Sequence, residues 1–151
     1  MKTMICVDNL AYSYANYEVF SSINEITSKS PEEISIVPLD ITSSFMKINT
    51  AVHNVAELGS FKNGILIATT ILNAQKILGC ASNARKVLYL YDLDWMFRII
   101  SFDVLYSILN DPSLTVILRS ESFIRPLSAI CGDRKYSILP EFNLEKLWNS
   151  L

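Results

Sequence analysis

The 151-residue sequence predicts an α/β domain in which a mostly parallel sheet of five or six strands has helices on both faces. First, apolar runs of strand length alternate with segments whose apolar residues recur every three or four positions, which is the pattern of β-α-β units. Second, 50% of the residues are hydrophobic, and strands buried on both faces read as continuous apolar runs. Third, a chain of this length buries a full core without disulfides, so we expect one domain over residues 1–151.

The strands expected in this sheet are short apolar segments bounded by turn-forming or charged residues. In chain order they are Thr3–Val7, Ile34–Pro38, 64–69, 86–91, 114–119 and 136–139. The clearest is 64–69, which reads Gly-Ile-Leu-Ile-Ala-Thr and contains no charged residue.

The helices expected between these strands have apolar residues at helical spacing. In chain order they are Tyr14–Lys29, 43–58, Ile71–Leu78, 101–109, 121–130 and a last helix from about residue 144. Ser30 and Pro31 should end the first helix, and the Ser101 hydroxyl should cap the fourth. Segment 43–58 is rich in Ser and Thr, but its apolar residues recur at steps of four and three, so we expect a helix there.

Composition and charge exclude several classes of protein. The longest uncharged apolar stretch, 64–74, is much shorter than the roughly 20 residues of a membrane span, so we expect none. The apolar run after Lys2 ends at Asp8, which is too early for a secretory signal, and three cysteines without a C-x-x-C spacing indicate reduced thiols. Lys and Arg are scattered in a chain of net charge -2, which disfavours nucleic acid as a partner. We therefore expect a cytoplasmic protein.

Polar residues follow several of the expected strands, at the edge where parallel α/β sheets bind their ligands. The candidate ligand-binding residues are Asp8, Asn9, Thr69, Thr70, Asp92, Asp94, Arg119, Ser120 and Glu121. A cleft lined by carboxylates, an arginine and hydroxyls would hold a polar ligand such as a sugar. The same residue types also cap helices that follow strands, so capping is the alternative for each of them. No catalytic residue is assigned.

The segment Asp92-Leu93-Asp94 has the spacing of a simple metal motif. Alternate residues that leave a strand point to the same side, and two carboxylates there could share a hard cation such as Mg²⁺. Trp95, Met96 and Phe97 follow directly, however, and favour packing over a solvated metal site. We predict no metal ion at this segment.

The sequence contains no glycine-rich motif of the kind that binds phosphate groups. The four glycines are Gly59, Gly64, Gly79 and Gly132, so neither G-x-G-x-x-G nor the P-loop pattern occurs. This disfavours NAD binding of the fingerprint type and P-loop ATP hydrolysis, and we predict no cofactor.

Three further features have structural interpretations. His53 lies in the expected helix 43–58 beside Val52, which predicts a surface or partly packed histidine rather than a catalytic one. Cys6 lies inside the first strand and should be buried and unreactive. The apolar stripe of the last helix, which includes Trp148, should dock on the core, although it could instead pack on a second subunit.

Segments 64–70, 86–95 and 115–122 carry a resemblance to a known family. In their order they resemble the N-terminal, Rossmann-like half of GT-B glycosyltransferases of the retaining, family-4 type. The resemblance implies a single Rossmann-like domain that binds a sugar acceptor or a nucleotide-sugar at the strand ends. In that family the C-terminal domain holds the donor, so catalysis would need a second domain or subunit. The sequence departs from the family at 8–11, where Asp-Asn-Leu-Ala replaces a glycine-rich loop.

Two other interpretations stay open. A GT-A glycosyltransferase would use Asp92 and Asp94 as a metal motif at a strand end. The chain also resembles small accessory proteins of tailed phages, and a Rossmann-like scaffold without a donor site could be a non-catalytic interaction module. Its partner would be another protein or a second copy of the chain.

Overall fold

The computed structural model describes residues 2–29 and 33–151. The strands within these ranges are β1 (Thr3–Val7), β2 (Ile34–Pro38), β3 (Ala51–Val52), β4 (Ile65–Ala68), β5 (Arg85–Leu90), β6 (Leu114–Leu118) and β7 (Ser137–Ile138). These seven described strands form one sheet in the order β3-β2-β1-β4-β5-β6-β7, and each pairing is parallel. The predicted class, a Rossmann-like α/β sheet, is confirmed, with one strand more than the largest expected number.

The helices cover the sheet on both faces, as predicted. They are α1 (Tyr14–Lys29), α2 (Ile71–Leu78), α3 (Phe102–Leu109), α4 (Ile124–Cys131) and α5 (Leu144–Asn149). Short 3₁₀ helices span Val55–Ser60, Asp94–Phe97 and Glu121–Phe123. The predicted helix end at Ser30 and Pro31 lies outside the described residues. Among the described helices, none has the length and apolar character needed to cross a membrane.

Alternate residues of the strands divide the core into two layers. On one face Cys6, Leu66 and Leu88 pack with apolar residues of α2, α3 and α4. On the other face Ile5 and Ile67 pack with apolar residues of α1 and α5. Both faces of the central strands are therefore buried, which explains why these strands read as uninterrupted apolar runs in the sequence.

The predicted helix at 43–58 is wrong. Residues 39–50 have no regular structure, and β3 and the 3₁₀ helix Val55–Ser60 occupy the rest of this segment. The hydroxyls bond to backbone outside a helix, since Thr42 Oγ1 accepts from Leu10 N at 2.9 Å and Ser44 Oγ donates to Met46 O at 2.6 Å. The apolar spacing is satisfied differently, because Phe45 stacks on Phe20 of α1 at 5.6 Å between ring centroids.

The last helix docks on the core, as the first of its two interpretations predicts. Leu144 and Leu147 are fully buried in the layer that contains α1. Trp148 Nε1 donates to Thr3 Oγ1 at 3.1 Å, which ties α5 to the first strand.

The order in which strands are added to the sheet reverses at β1. β1 pairs with β2 on one side and with β4 on the other, so the chain leaves β1 toward one edge and returns to build the other. A crevice opens outside the carboxyl ends of the strands at such a point, and it is where open α/β sheets bind ligands.

Candidate ligand site

A cavity of about 560 Å³ lies at this point, outside the carboxyl ends of β1, β4 and β5. We call it the carboxyl-end cavity. Six of the nine predicted ligand-binding residues line it, namely Asp8, Asn9, Thr69, Thr70, Asp92 and Asp94. The structure thus brings together residues that lie up to 86 positions apart in the sequence. Its size falls within the range of pockets that hold small molecules.

Asp8 is the centre of a polar network at the base of this cavity. Its Oδ1 accepts hydrogen bonds from Thr70 Oγ1 at 2.8 Å and from Asn73 Nδ2 at 3.1 Å. Its Oδ2 forms an ion pair with Arg98 Nη2. Asp8 therefore joins the end of β1 to the start of α2 and to the segment after β5.

Arg98 bridges two carboxylates, because its Nε also lies 2.9 Å from Asp94 Oδ2. That contact lacks the geometry of a hydrogen bond. Asp94 Oδ1 accepts a long hydrogen bond of 3.5 Å from the Ile71 amide, and 9% of the Asp94 side chain is exposed. Burial raises the pKa of Asp94 to about 6, although Arg98 and the Ile71 amide act in the opposite direction. Asp94 thus changes its charge close to neutral pH.

The loop after β1 is closed by side-chain hydrogen bonds instead of glycine turns. Ser13 Oγ accepts from Asn16 N at 3.0 Å and caps the start of α1. Asn16 Nδ2 donates to Asn9 O at 3.0 Å and to Ala11 O at 2.8 Å. Asn16 is 8% exposed and lines the cavity. This loop folds without the glycines of a phosphate loop because the Asn16 amide satisfies two of its carbonyl groups.

Three tyrosines, Tyr12, Tyr14 and Tyr91, also line the cavity. Tyr12 and Tyr14 are 60% and 71% exposed, and their ring centroids are 5.9 Å apart. The guanidinium of Arg119 lies over the Tyr91 ring, 4.1 Å from its centroid. The cavity therefore combines carboxylates with aromatic rings.

The other three predicted residues do not line the cavity. Arg119 Nε donates to Pro140 O at 3.3 Å, and its Nη2 lies 3.8 Å from Glu18 Oε1. Ser120 caps the 3₁₀ helix Glu121–Phe123 by accepting from Ser122 N, and Glu121 is exposed. The capping alternative is confirmed for Ser120, and for Thr70 as well, since Thr70 caps α2 while it also lines the cavity.

The sequence analysis missed Arg98, Asn16 and Asn73. A usable signal existed for Arg98, because it follows Asp94 by four residues, a spacing at which opposite charges meet on a helical turn. Nothing marked Asn73, which lies fully buried in α2. The expectation that residues after Asp94 are packed is wrong for Met96 and Phe97, which are 67% and 87% exposed.

The structure also shows the surroundings of the potential metal ligands, of His53 and of the cysteines. Within the described ranges, no three His, Cys, Asp or Glu side chains form a group that could hold a metal ion. His53 lies between β3 and a 3₁₀ helix rather than in an α-helix, and its Nδ1 is 2.7 Å from Glu57 Oε2. The three cysteines are free, and Cys6 is fully buried, as predicted. Burial raises the pKa of the Cys6 thiol to about 12, which disfavours the reactive thiolate.

A second cavity of about 360 Å³ lies at the opposite edge of the sheet, near the amino ends of β1, β2 and β3. We call it the amino-end cavity. Its charged lining consists of Lys2, Glu33 and the His53–Glu57 pair. Lys2 Nζ lies over the Phe61 ring, 5.4 Å from the centroid.

Comparisons with known proteins found no matching family model, no matching curated protein and no matching solved structure. Any ligand of the carboxyl-end cavity must therefore be inferred from the residues that line it.

Proposed function

We propose that this chain binds a sugar or a similar polyhydroxylated molecule in the carboxyl-end cavity. The observation that supports the proposal is the convergence of Asp8, Asp92 and Asp94 with three tyrosine rings around one cavity. Sugar hydroxyls donate hydrogen bonds to carboxylate oxygens, and the apolar face of a sugar ring packs against aromatic side chains. A pocket with a few polar groups and large rings suits a ligand of this kind.

Charge favours a sugar acceptor over a nucleotide-sugar. The described lining contains three aspartates and one arginine, a formal charge of -2 when all are ionised. Arg98 is engaged by Asp8 and Asp94, so it offers little to a diphosphate. Diphosphates prefer helix starts preceded by glycine-rich turns, and this sequence has none.

The wider form of the proposal is a glycosyltransferase-like domain that holds the acceptor and acts with a second domain or subunit that holds the donor. Asp94 would then have a role besides binding. A carboxylate with a pKa of about 6 can take a proton from a bound hydroxyl during transfer, since general bases work best near the ambient pH.

A thermal-shift experiment tests the binding proposal. The purified chain is heated with free monosaccharides, with UDP-, GDP- and ADP-sugars, and with and without Mg²⁺ or Mn²⁺, because a ligand of the native state raises the melting temperature. We expect free sugars to raise it and Asp92→Ala to abolish the shift. Asp92 is exposed and forms no ion pair among the described residues, so its loss should not unfold the chain.

Glu121→Ala is the matched control, because Glu121 is also an exposed carboxylate after a strand but lies outside the cavity lining. The Glu121 variant should keep the full shift. If sugars give no shift, or if both variants lose it equally, the proposal is wrong.

The second candidate function is a non-catalytic interaction module. The observation that favours it is a run of exposed apolar side chains between residues 96 and 106. These are Met96, Phe97, Ile99, Phe102 and Tyr106, and each is at least half exposed. Exposed apolar groups of this extent on one segment are typical of interaction surfaces. Sedimentation over a range of concentrations, with Phe97→Ser as the variant, distinguishes a self-associating chain from a monomer.

A further inference from the structure

We propose that the ligand of the carboxyl-end cavity carries a primary ammonium group, as an amino sugar does. This inference rests on the proposed function, because it specifies the chemistry of the molecule bound at the same place. It follows from three properties of the lining: its unused hydrogen-bond acceptors, its charge and its aromatic rings.

Two oxygen atoms of buried lining residues are acceptors that receive no hydrogen bond from the described residues. The first is Asp94 Oδ2, although Arg98 Nε lies 2.9 Å from it. Asn16 is 8% exposed and spends its Nδ2 group on two backbone carbonyls, while no described residue donates to its Oδ1. An ammonium group has three N–H donors and no acceptor, so it complements such a lining better than a hydroxyl does.

Two donors at the centre of the polar network, in contrast, are already in use. The Thr70 hydroxyl donates to Asp8, and the Arg98 guanidinium faces both Asp8 and Asp94. A ligand rich in acceptors, such as a phosphate or a carboxylate, would have to displace these contacts. A ligand rich in donors would leave them intact.

The charge of the lining points to the same ligand. Arg98 offsets one of the three aspartates, so two negative charges remain when all are ionised. Asp92 is exposed and forms no ion pair within the described ranges. A cation at this place would be attracted by Asp92 and would reduce the repulsion between Asp92 and Asp94.

The aromatic rings add a third contribution. Tyr12 and Tyr14 lie at the mouth of the cavity with more than half of their surfaces exposed. Tyr91 already has the Arg119 guanidinium over its ring, so the exposed rings of Tyr12 and Tyr14 are the ones available to a ligand cation. Ammonium groups bind over tyrosine rings, and adjacent carboxylates strengthen the attraction.

An NMR titration of the ¹⁵N-labelled full chain tests the inference with four probes: glucosamine, glucose, N-acetylglucosamine and ethanolamine. We expect glucosamine to bind about fivefold more tightly than glucose or N-acetylglucosamine, which is the upper range for one exposed ion pair. In Asp92→Asn this preference should fall to about twofold or less, while glucose binding is retained. The matched control Glu121→Gln should keep the preference.

The outcomes separate the two proposals. If glucose binds as tightly as glucosamine, the ammonium inference is overturned and the sugar-binding function stands. If ethanolamine binds at the cavity and no sugar binds, the sugar-binding function is overturned and the ammonium inference stands. If none of the four probes shifts resonances of the lining residues, both are overturned.

Discussion

The two cavities at opposite edges of the sheet hold charge in different ways. At the carboxyl-end cavity, Asp8, Asp94 and Arg98 have side chains between 9% and 32% exposed, and the ion pair of Asp8 with Arg98 joins residues 90 positions apart. At the amino-end cavity, His53 and Glu57 are 35% and 49% exposed and only four positions apart. The network at the carboxyl-end cavity joins segments that are distant in the sequence, whereas the His53–Glu57 pair joins two residues of the same short segment.

This difference determines which charges matter for folding. Charges interact more strongly when water is excluded, and a charged group that loses its partner in a partly buried place is costly. An exposed pair four residues apart adds little, because water and salt screen it. We therefore expect substitutions at the carboxyl-end cavity to change stability through charge, and substitutions at the amino end to change it through packing.

The largest effect should come from Asp8→Ala. The substitution removes the acceptor of the Thr70 hydroxyl and one of the two acceptors of the buried Asn73 amide. It also removes one of the two carboxylates that face the Arg98 guanidinium. We expect a loss of about 3 kcal/mol in the free energy of unfolding, measured with urea. Glu121→Ala removes a carboxylate outside the network and should leave the urea midpoint unchanged. Equal midpoints for the two variants would contradict the central role of Asp8.

Packing at the amino end is tested by Gly64→Ala. A Cβ atom at Gly64, just before β4, would lie 2.5 Å from the Lys2 carbonyl oxygen and 2.8 Å from the Phe61 ring. Since the nearest atom is backbone, the strands must shift, and we expect a loss of about 2 kcal/mol. Gly59→Ala is the control, because a Cβ added there would meet no heavy atom within 4 Å beyond its chain neighbours and its own helix backbone. If the two alanine variants have the same urea midpoint, close packing around Gly64 does not stabilise the amino end of the sheet.

Asp94→Asn should show a smaller effect of the opposite sign. The pKa of Asp94 is raised from 3.8 to about 6 by burial, so the folded chain keeps this proton at pH values where the unfolded chain loses it. The stability that results is present below about pH 4 and is lost as the pH rises through about 6. We expect Asp94→Asn to be more stable than the wild type by about 1–2 kcal/mol near pH 7.5.

Urea unfolding at several pH values checks this sign. The difference between Asp94→Asn and the wild type should shrink as the pH falls from about 6 and approach its minimum below about 4, where Asp94 becomes protonated in both states. Glu121→Gln is the control, because Glu121 is exposed and lies outside the cavity lining. A stability gain that does not depend on pH would show that burial of the ionised Asp94 is not its cause.

The sequence predicts the sheet well because its signals are local. Continuous apolar runs mark buried parallel strands, and the predicted bounds of β1, β2, α1 and α2 agree with the structure. The failure at 43–58 has a physical reason. Phe45 and Ile48 have helical spacing but pack as loop residues against the α1 layer, while Thr42 and Ser44 bond to backbone. Periodicity alone cannot distinguish these two ways of burying the same residues.

The candidate site was predictable only where it follows from topology. Asp8, Thr70 and Asp94 follow parallel strands, and the carboxyl ends of such strands meet at one edge. Arg119 also follows a strand, but β6 is two strands away from β4, and its side chain turns to Glu18 and Pro140. Asn16 belongs to the site because its side chain donates hydrogen bonds to the loop after β1. No spacing of residues in the sequence predicts these hydrogen bonds.

The smallest effect should come from Glu57→Gln at the amino-end cavity. Glu57 Oε2 pairs with His53, and its Oε1 accepts from the Asn54 amide in a capping box, which lowers the pKa of Glu57. Glutamine keeps the capping hydrogen bond and removes only the charge. We expect no measurable change in urea stability near pH 7, in contrast with Asp8→Ala. A clear loss of urea stability in Glu57→Gln would mean that charge also stabilises the amino end. The two cavities would then differ only in how much their charges contribute to stability.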